Sequence, residues 1–368
     1  MLQFLNLKPE IFGLDINDLS LKIIRLKKKR KGFSLVSFNE VDIKPGIVEE
    51  GVIKNEEALV KIIESACKTV KGKKLGTKYV VAALPEEKSF SQVIQMPEMD
   101  KDELKSAVPF EAENYIPLPI DKVYLDFQTI NLAKDSANYC DDNHCDLLIA
   151  ATPKSIVDSY VSCFKKSGLI PYALEVESQA IARALIKKDR DAKPLIFIDL
   201  GKTKTSFIIF SGNSIRFTSS IPIFSDQITS AISEVFLISY NEAEELKRKY
   251  GLLQEKGGQP EVSTIMKPIL RDLVSHIKKY ISFYHDHVFH EYFPADGNIE
   301  KIILCGGGAN LKGITDFLSK ELKIKVELAD PLTNIIMEKN SDHIFLNKKS
   351  LSFVVAIGLA LREEEDNK

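Results

Sequence analysis

The sequence predicts an α/β protein of two lobes, because one short pattern occurs twice and a glycine-rich stretch follows it. The first copy is an apolar strand that ends in Asp15, a polar turn and a second apolar strand at 23–26. The second copy is an apolar strand that ends in Asp199, a turn through Gly201 and a strand at 206–210. Both patterns are typical of antiparallel strands joined by a short turn. About 180 residues separate them, roughly one domain length, so we expect one such hairpin at the start of each lobe.

Each predicted turn collects the groups that a phosphate requires. Backbone N–H groups and hydroxyls donate hydrogen bonds to phosphate oxygens. A Mg²⁺ ion bound to a phosphate favours a nearby carboxylate, often through water. Gly-Lys-Thr turns also occur in ordinary hairpins, so the prediction depends on the repetition. Two lobes that each open with such a turn suggest one ligand held between them.

The third stretch, at 301–313, is a buried-type strand followed by Gly306, Gly307 and Gly308 and the start of a helix. Glycines allow the backbone to approach a ligand closely. The first turn of a helix offers free N–H groups. This stretch is therefore a second candidate for ligand contact.

Periodicity predicts the other elements. Alternation indicates strands at 33–41, 79–84, 91–97, 123–130 and 146–152. Helical spacing indicates helices at 55–70, 100–115, 155–167, 174–186, 225–248 and within 261–289. The strand–helix–strand–strand–helix order from 89 to 171 suggests a small inserted subdomain. Pro109 is expected to kink or split its first helix, because proline lacks the N–H and clashes with the preceding turn.

Composition excludes several classes of function. The chain has 368 residues and a net charge of −2, whereas broad nucleic-acid binding favours a strongly basic face. Its five cysteines are odd in number and irregularly spaced, which favours reduced thiols over a disulfide framework. No apolar run reaches the ~20 residues that span a bilayer, and the N-terminus lacks the basic region of a signal peptide. We therefore expect a cytoplasmic protein.

Three local clusters have competing interpretations. The basic run Lys27–Lys31 is a solvated turn or a contact for anionic lipid head groups. Cys140–Cys145 lacks the paired spacing of a zinc site, so a hairpin loop is favoured. His285 and His287 would point to nearly opposite sides of a helix, which favours a polar helix end over chelation.

The order of these features resembles that of the actin-like ATPase superfamily, which includes actin, Hsp70 and FtsA. Ala243, Glu244 and Lys247 match the family helix that flanks the nucleoside, and 356–360 is similar to its closing helix. The resemblance implies two ribonuclease-H-like lobes around a nucleotide cleft, with ATP and Mg²⁺ as ligands.

Within this superfamily the chain resembles the FtsA-related PilM family of type IV pilus assembly. The matching segments follow one another along nearly the whole chain, at 13–16, 44–53, 80–85, 94–97, 111–118 and 174–184. The resemblance implies subdomain 1A at 1–88, 172–192 and 349–368, an inserted FtsA-type 1C at 89–171, 2A at 193–226 and 300–348, and 2B at 227–299.

The resemblance also implies roles for individual residues. Asp15 and Asp199 would hold Mg²⁺ through water. The phosphates would be bound by the first turn (Asn17, Asp18, Ser20 and Lys22) and by the second (Gly201, Thr203 and Thr205). Gly306, Gly307 and Gly308 would contact the nucleoside, with Glu244 and Lys247 at its sugar edge. Gln179 matches the water-positioning glutamine of actin, although a shift of register would make it an ordinary polar helix residue.

The first turn departs from the family pattern. Asn17-Asp18 stands where the family usually has Gly-Ser. Asn tolerates positive φ, so the turn can form, but Asp18 brings a negative charge towards the expected phosphates. Like charges ~4 Å apart repel by about 1 kcal/mol in water. ATP hydrolysis is therefore left open.

The implied partner is a PilN-like inner-membrane protein. Its short cytoplasmic N-terminal peptide would dock between subdomains 1A and 1C, with Tyr115 and Ile116 as candidate contacts. This predicts a cytoplasmic scaffold held at the inner membrane by its partner. The alternatives are a polymerising FtsA-like ATPase and a scaffold that has lost nucleotide binding.

Overall fold

The computed structural model describes residues 9–30, 32–130, 144–187, 193–223, 225–253, 260–287, 298–336 and 350–362. The chain divides into two compact units. The first comprises Met1–Ser89, Thr152–Lys188 and Pro331–Lys368, and the second comprises Phe90–Ala151 and Asp189–Asp330.

The strands are, in chain order, β1 (Ile11–Asn17), β2 (Ser20–Lys29), β3 (Gly32–Asp42), β4 (Val48–Glu49), β5 (Val52–Ile53), β6 (Lys71–Gly72), β7 (Tyr79–Leu84), β8 (Phe90–Pro97), β9 (Val123–Thr129), β10 (His144–Pro153), β11 (Ile170–Val176), β12 (Leu195–Leu200), β13 (Thr205–Ser211), β14 (Ser214–Ile221), β15 (Lys301–Cys305) and β16 (Lys325–Leu328). The helices are α1 (Glu56–Lys68), α2 (Lys101–Ala112), α3 (Lys154–Lys166), α4 (Glu177–Leu185), α5 (Ser225–Phe236), α6 (Tyr240–Tyr250), α7 (Pro260–His287), α8 (Ile314–Leu322) and α9 (Val354–Ala360).

The first unit is built on a six-stranded sheet in the order β11-β7-β1-β2-β3-β6. β1 pairs antiparallel with β2, which places Asp15 opposite Lys22, and parallel with β7. The predicted hairpin is confirmed. Because β1 is nearly continuous in apolar side chains and has a neighbour on both edges, it lies in the centre of the core.

Helices pack on this sheet through buried apolar faces. α3 contributes Ile156, Tyr160 and Phe164 to the core that also contains Phe12 and Leu59. α9 packs on α4 so closely that a β-carbon at Gly358 would overlap the carbonyl oxygen of Ala180. Only glycine fits at such an approach.

The second unit is built on an eight-stranded sheet in the order β16-β15-β12-β13-β14-β8-β10-β9. β12 pairs antiparallel with β13 and parallel with β15, which confirms the second predicted hairpin. A single pairing, Phe217 with Gln92, joins β14 to β8. Through it, residues 90–151 extend the sheet, with α2 packed over a small core of their own.

Two predicted helices differ from the observed ones. The segment at 174–186 begins as the end of strand β11, because Leu174 to Val176 pair with β7, and α4 starts only at Glu177. The helix predicted at 100–115 ends at Ala112. It continues through Pro109 and is stabilised at its start by reciprocal hydrogen bonds between Asp100 and Glu103.

Some of the predicted features lie in segments that the structure does not describe. Most of Cys140–Cys145, and Lys31 at the end of the basic run, lie outside the described residues. The four-part subdomain division stays a prediction. Among the described residues, no helix is both long enough and apolar enough to cross a membrane.

Candidate functional site

In the second unit, the predicted carboxylate and the glycine run lie side by side. The parallel register of β12 and β15 places Asp199 opposite Cys305. The next residue, Gly306, has φ of 82° and is buried against Asp199, so that a β-carbon there would overlap Oδ1 of Asp199. Only glycine fits at position 306, because another residue would strain the backbone at this φ and its β-carbon would overlap Asp199. Burial, helped by Asp199, raises the pKa of the Cys305 thiol well above its ordinary value.

The turn after Asp199 is short and internally bonded. The amide of Gly201 donates to the carbonyl oxygen of Lys204 at 2.9 Å, and the next strand begins at Thr205. Thr203 is half-buried, whereas Thr205 is fully buried and its hydroxyl donates to the carbonyl oxygen of Ile223 at 2.7 Å. This hydrogen bond anchors the turn, and the phosphate contact that the family resemblance implies for Thr205 stays a prediction.

Glu244 and Lys247 form a partly buried network between α5 and α6. Nζ of Lys247, a residue only 6% exposed, donates to Oγ of Ser225 and Oγ1 of Thr229, each at 2.7 Å. It lies 2.6 Å from Oε2 of Glu244, and Thr229 also donates to Glu244. This arrangement fixes both charged side chains before any ligand binds.

Two opposing effects set the ionisation of this pair. Burial by itself would raise the pKa of Glu244, but hydrogen bonds from Lys247 and Thr229 lower it to about 2. Burial lowers the pKa of Lys247, although the contact with Glu244 opposes that shift. Glu244 is therefore a carboxylate at neutral pH.

The loop that carries the glycine run is hydrogen-bonded to the end of α6 through Lys312. Leu252 donates its amide to the carbonyl oxygen of Lys312 at 2.9 Å, and Nζ of Lys312 donates to the carbonyl oxygen of Lys249 at 2.8 Å. The helix that carries Glu244 and Lys247 is thereby tied to the loop that carries Gly306. Gly307 is exposed and Gly308 half-buried at the start of a short 3₁₀ turn.

These contacts fit a nucleotide. The loop surface has no side chain at 306–308, a carboxylate lies beside it, and a fixed cation lies on the helix tied to it. Such a surface suits a phosphate chain and a sugar. Among the described residues, no three His, Cys, Asp or Glu side chains come together to hold a metal on their own. A Mg²⁺ ion at Asp199 would therefore need ligands from phosphate and water.

The first unit holds the other predicted turn. Asp15 is 1% exposed and accepts hydrogen bonds from Nδ2 of Asn17 at 3.0 and 3.1 Å. Nζ of Lys22 lies 3.6 Å from Oδ2 of Asp15 and donates to Oγ of Ser20 at 2.9 Å. The structure thus brings together all four of these predicted residues.

Asp18 has a role that the sequence did not reveal. Its carboxylate accepts hydrogen bonds from the backbone amides of Glu50 at 3.1 Å and Gly51 at 3.0 Å. Hydrogen bonds to a carboxylate stabilise its charged form. The side chain therefore stabilises the turn between β4 and β5, and its proximity to a phosphate stays a prediction.

Two buried acids that sequence reasoning missed lie at the start of α4: Glu177 in the helix itself and Glu86 in the turn after β7. Gln179 is half-buried on this helix, whereas Glu177 and Glu86 are 2% and 4% exposed. Oε2 of Glu86 accepts the amide of Ser178 at 2.9 Å. Buried glutamates are rare, so both are candidates for a functional role. The sequence did contain a signal for these two acids, because each of them follows the end of a strand, β7 for Glu86 and β11 for Glu177.

The predicted peptide contacts separate in the structure. Tyr115 is 37% exposed, whereas Ile116 is 6% exposed and packs with Ile94 and Val108 in the small core. Ile116 therefore stabilises that core, and its role as a groove contact stays a prediction. Nearby, an open cavity of about 310 Å³ lies between α2 and β9. Its lining is mainly apolar: Lys105, Val108, Pro109, Ile120, Val123, Leu125, Asp126 and Phe127.

Comparison with known families gives a match over almost the whole chain. The profile described as Type IV pilus assembly protein PilM matches residues 13–364. The cell division protein FtsA of Enterococcus hirae is 25% identical over 200 residues, which are 50% of this chain and 44% of that FtsA. The chain spans about half the length of the curated relatives it matches.

Comparison with solved structures supports the actin-like fold. The structure of a PilM-PilN type IV pilus biogenesis complex aligns with a TM-score of 0.80 and 25% identity over 96% of this chain and 98% of that one. MreB 5 of Spiroplasma citri, bound to AMPPNP, aligns with a TM-score of 0.54 and 14% identity over 97% of each chain. The predicted actin-like ATPase fold is confirmed.

Proposed function

Because this chain belongs to the PilM family of type IV pilus assembly proteins, we propose that it is an ATP-binding scaffold that docks the N-terminal cytoplasmic peptide of a PilN-like inner-membrane protein. The nucleotide sets the state of the scaffold, and the peptide attaches it to the membrane. The cytoplasmic location at the inner membrane belongs to the same proposal.

The approach of Gly306 to Asp199 carries the nucleotide half of the proposal. Next to this contact, the backbone of Gly307 and Gly308 is accessible, and its N–H groups would meet phosphate or ribose with a carboxylate beside them. Glu244 and Lys247 lie on helix α6, which Lys312 ties to the same loop. Glu244 would accept hydrogen bonds from ribose hydroxyls, because it is ionised at neutral pH.

Asp199 would hold the outer coordination sphere of a Mg²⁺ ion. A half-buried carboxylate beside a phosphate site suits water-mediated coordination. Bound Mg²⁺ would neutralise phosphate charge. Asp15, with Asn17 and Lys22 already around it, is the matching carboxylate of the first unit. Hydrolysis is not part of the proposal.

The proposal that a peptide docks on this protein rests on the family and on the surface near Tyr115. The solved PilM relative is described in a complex with PilN. Here, the cavity between α2 and β9 offers apolar walls, and the exposed Asp126 is part of its lining. Burial and the neighbouring Glu111 raise the pKa of Tyr115, so its hydroxyl stays protonated. These features suit an extended peptide that carries apolar and basic side chains.

Calorimetric titration of Mg·ATP tests the nucleotide half. We expect wild-type protein to bind and Asp199→Ala to lose most of the affinity, while Asp316→Ala, an exposed acid of the same unit, binds like wild type. Equal affinity in Asp199→Ala would remove this residue from the site. No binding by wild type would favour the scaffold without nucleotide.

Fluorescence anisotropy with a labelled PilN-like N-terminal peptide tests the other half. Phe127→Ser replaces an apolar cavity wall and should weaken binding at least about tenfold, which corresponds to about 1.4 kcal/mol. Tyr124→Ser, at an exposed position of the same strand outside the cavity lining, is the matched control. Equal binding by both variants would exclude this cavity. ATP-dependent sedimentation of the protein alone would instead favour a filament.

A further inference from the structure

The tip of the β2–β3 hairpin is a strongly basic projection. Leu26 is the last buried residue of β2, and the four residues that follow it, Lys27 to Arg30, are all exposed. Successive strand residues point to opposite faces. Both faces of β2 are therefore solvated beyond Leu26, and the tip carries at least four positive charges.

Three of these charges have no ion-pair partner within the part of the chain that the structure describes. None of Lys27, Lys28 and Arg30 forms an ion pair with any described residue. The facing part of β3, from Phe33 to Phe38, contains no acid. Because like charges at neighbouring positions repel each other, an external anion would stabilise the tip.

A second basic group lies along the same edge of the sheet. β6 pairs with β3 at Ser37 and Phe38, only four residues from the position that faces Lys28. Lys71, Lys73 and Lys74 of this edge segment are exposed. At roughly 3.3 Å per residue, about 13 Å of strand separates the two groups. One edge of the first unit is thus basic, although the chain as a whole has a net charge of −2.

We propose that this basic edge, Lys27–Arg30 with Lys71, Lys73 and Lys74, binds the anionic phospholipid head groups of a membrane surface. The exposed charges follow one another along the end of β2 and into its turn, and their apolar neighbour Phe33 is buried, so this edge suits an extended array of phosphates better than a single ligand in a pocket. Binding is electrostatic, with no apolar insertion. The choice of a membrane over a nucleic acid rests on the proposed function, in which the docked partner is a membrane protein.

Co-sedimentation with vesicles tests this inference. The full chain should bind vesicles of phosphatidylcholine with about one third phosphatidylglycerol and not vesicles of phosphatidylcholine alone. Each basic residue near an anionic surface strengthens binding roughly fivefold. Replacing Lys27, Lys28, Lys29 and Arg30 together by Gln should therefore weaken the partition coefficient by about a hundredfold or more. Raising the salt from about 0.1 M to about 1 M, which shortens the Debye length from about 10 Å to about 3 Å, should release the wild type.

A matched variant separates the site from net charge. Replacing the exposed lysines 101, 278, 279 and 320 by Gln changes the charge equally and should leave vesicle binding unchanged. The inference is overturned if wild type ignores anionic vesicles, if the hairpin variant binds as well as wild type, or if a single-stranded RNA oligonucleotide binds the hairpin more tightly than the vesicles do. Circular dichroism confirms that both variants fold. Since these vesicles contain no protein, failure of peptide or ATP binding would not alter the result.

Discussion

Gly306 lies against the carboxylate of Asp199, with no space between them for a β-carbon. Gly306→Ala should therefore destabilise the second unit in two ways. The backbone conformation at φ 82° costs about 1–3 kcal/mol for other residues, and the overlap with Asp199 adds to that. We expect a loss of about 2–4 kcal/mol in the free energy of unfolding by urea, together with weaker Mg·ATP binding.

Gly46→Ala is the matched control for this prediction. Gly46 also has a positive φ, 86°, but a β-carbon there would meet no atom within 4 Å. The Gly46→Ala variant should lose only the free energy of unfolding that the backbone conformation costs, and its Mg·ATP binding should not change. Equal stability losses in the two variants would show that the contact with Asp199 has no effect of its own.

The ion pair of Glu244 and Lys247 should make stability depend on acid pH. The folded pKa of Glu244, about 2, lies below its ordinary value of 4.5. A depressed pKa contributes stability that is present above the unfolded value and is lost as pH falls from about 4.5 towards about 2. The whole shift corresponds to about 3 kcal/mol at neutral pH, and Lys247→Met should remove the largest part of it, because Thr229 and Arg248 still donate to Glu244. Urea unfolding followed at pH 7 and pH 3 measures the change.

Arg248→Met serves as the comparison for the same carboxylate. Arg248 also donates to Glu244, but its side chain is 77% exposed. Exposed ion pairs contribute about 0–1 kcal/mol. If Arg248→Met destabilised the protein as much as Lys247→Met, burial of Lys247 would not be the reason for the effect.

Asp18 should affect the fold of the first unit more than nucleotide binding. Asp18→Ala removes the acceptor for two backbone amides, at Glu50 and Gly51, and should lower the free energy of unfolding by about 1–3 kcal/mol. Asp18→Asn retains an acceptor oxygen and should lose less. Asp42→Ala, an exposed acid of the same sheet, is the control. A marked rise in Mg·ATP affinity in Asp18→Asn would show instead that its charge opposes phosphate.

The buried hydroxyl of Tyr160 supports the same turn. It donates to the carbonyl oxygen of Gly51 at 3.0 Å, and Tyr160 is fully buried. Tyr160→Phe should cost about 1–2 kcal/mol, because it leaves a carbonyl oxygen without its donor. Thermal unfolding compared with that of Tyr124→Phe, an exposed tyrosine, measures this loss. A double variant with Asp18→Ala should lose less than the sum if both act on one turn.

Local chemistry in the sequence was sufficient to predict both aspartate-ended hairpins, the glycine run and most of the helices. These features are encoded by periodicity and by turn residues within a few positions of one another. Strands β14 and β16 were not predicted, although each pairs with the strand before it in the chain. The start of α4 was misplaced because Leu174 to Val176 pair with the distant strand β7.

Only the tertiary structure decided which partners the predicted site residues have within the protein. Asp18 is bound by amides 32 and 33 residues away, and Thr205 by a carbonyl 18 residues away. Ile116 is buried in a core that also contains Leu147 and Ile149 of strand β10. A residue type shows what a side chain can bind, but its actual partner depends on which distant segments the fold brings within hydrogen-bonding distance.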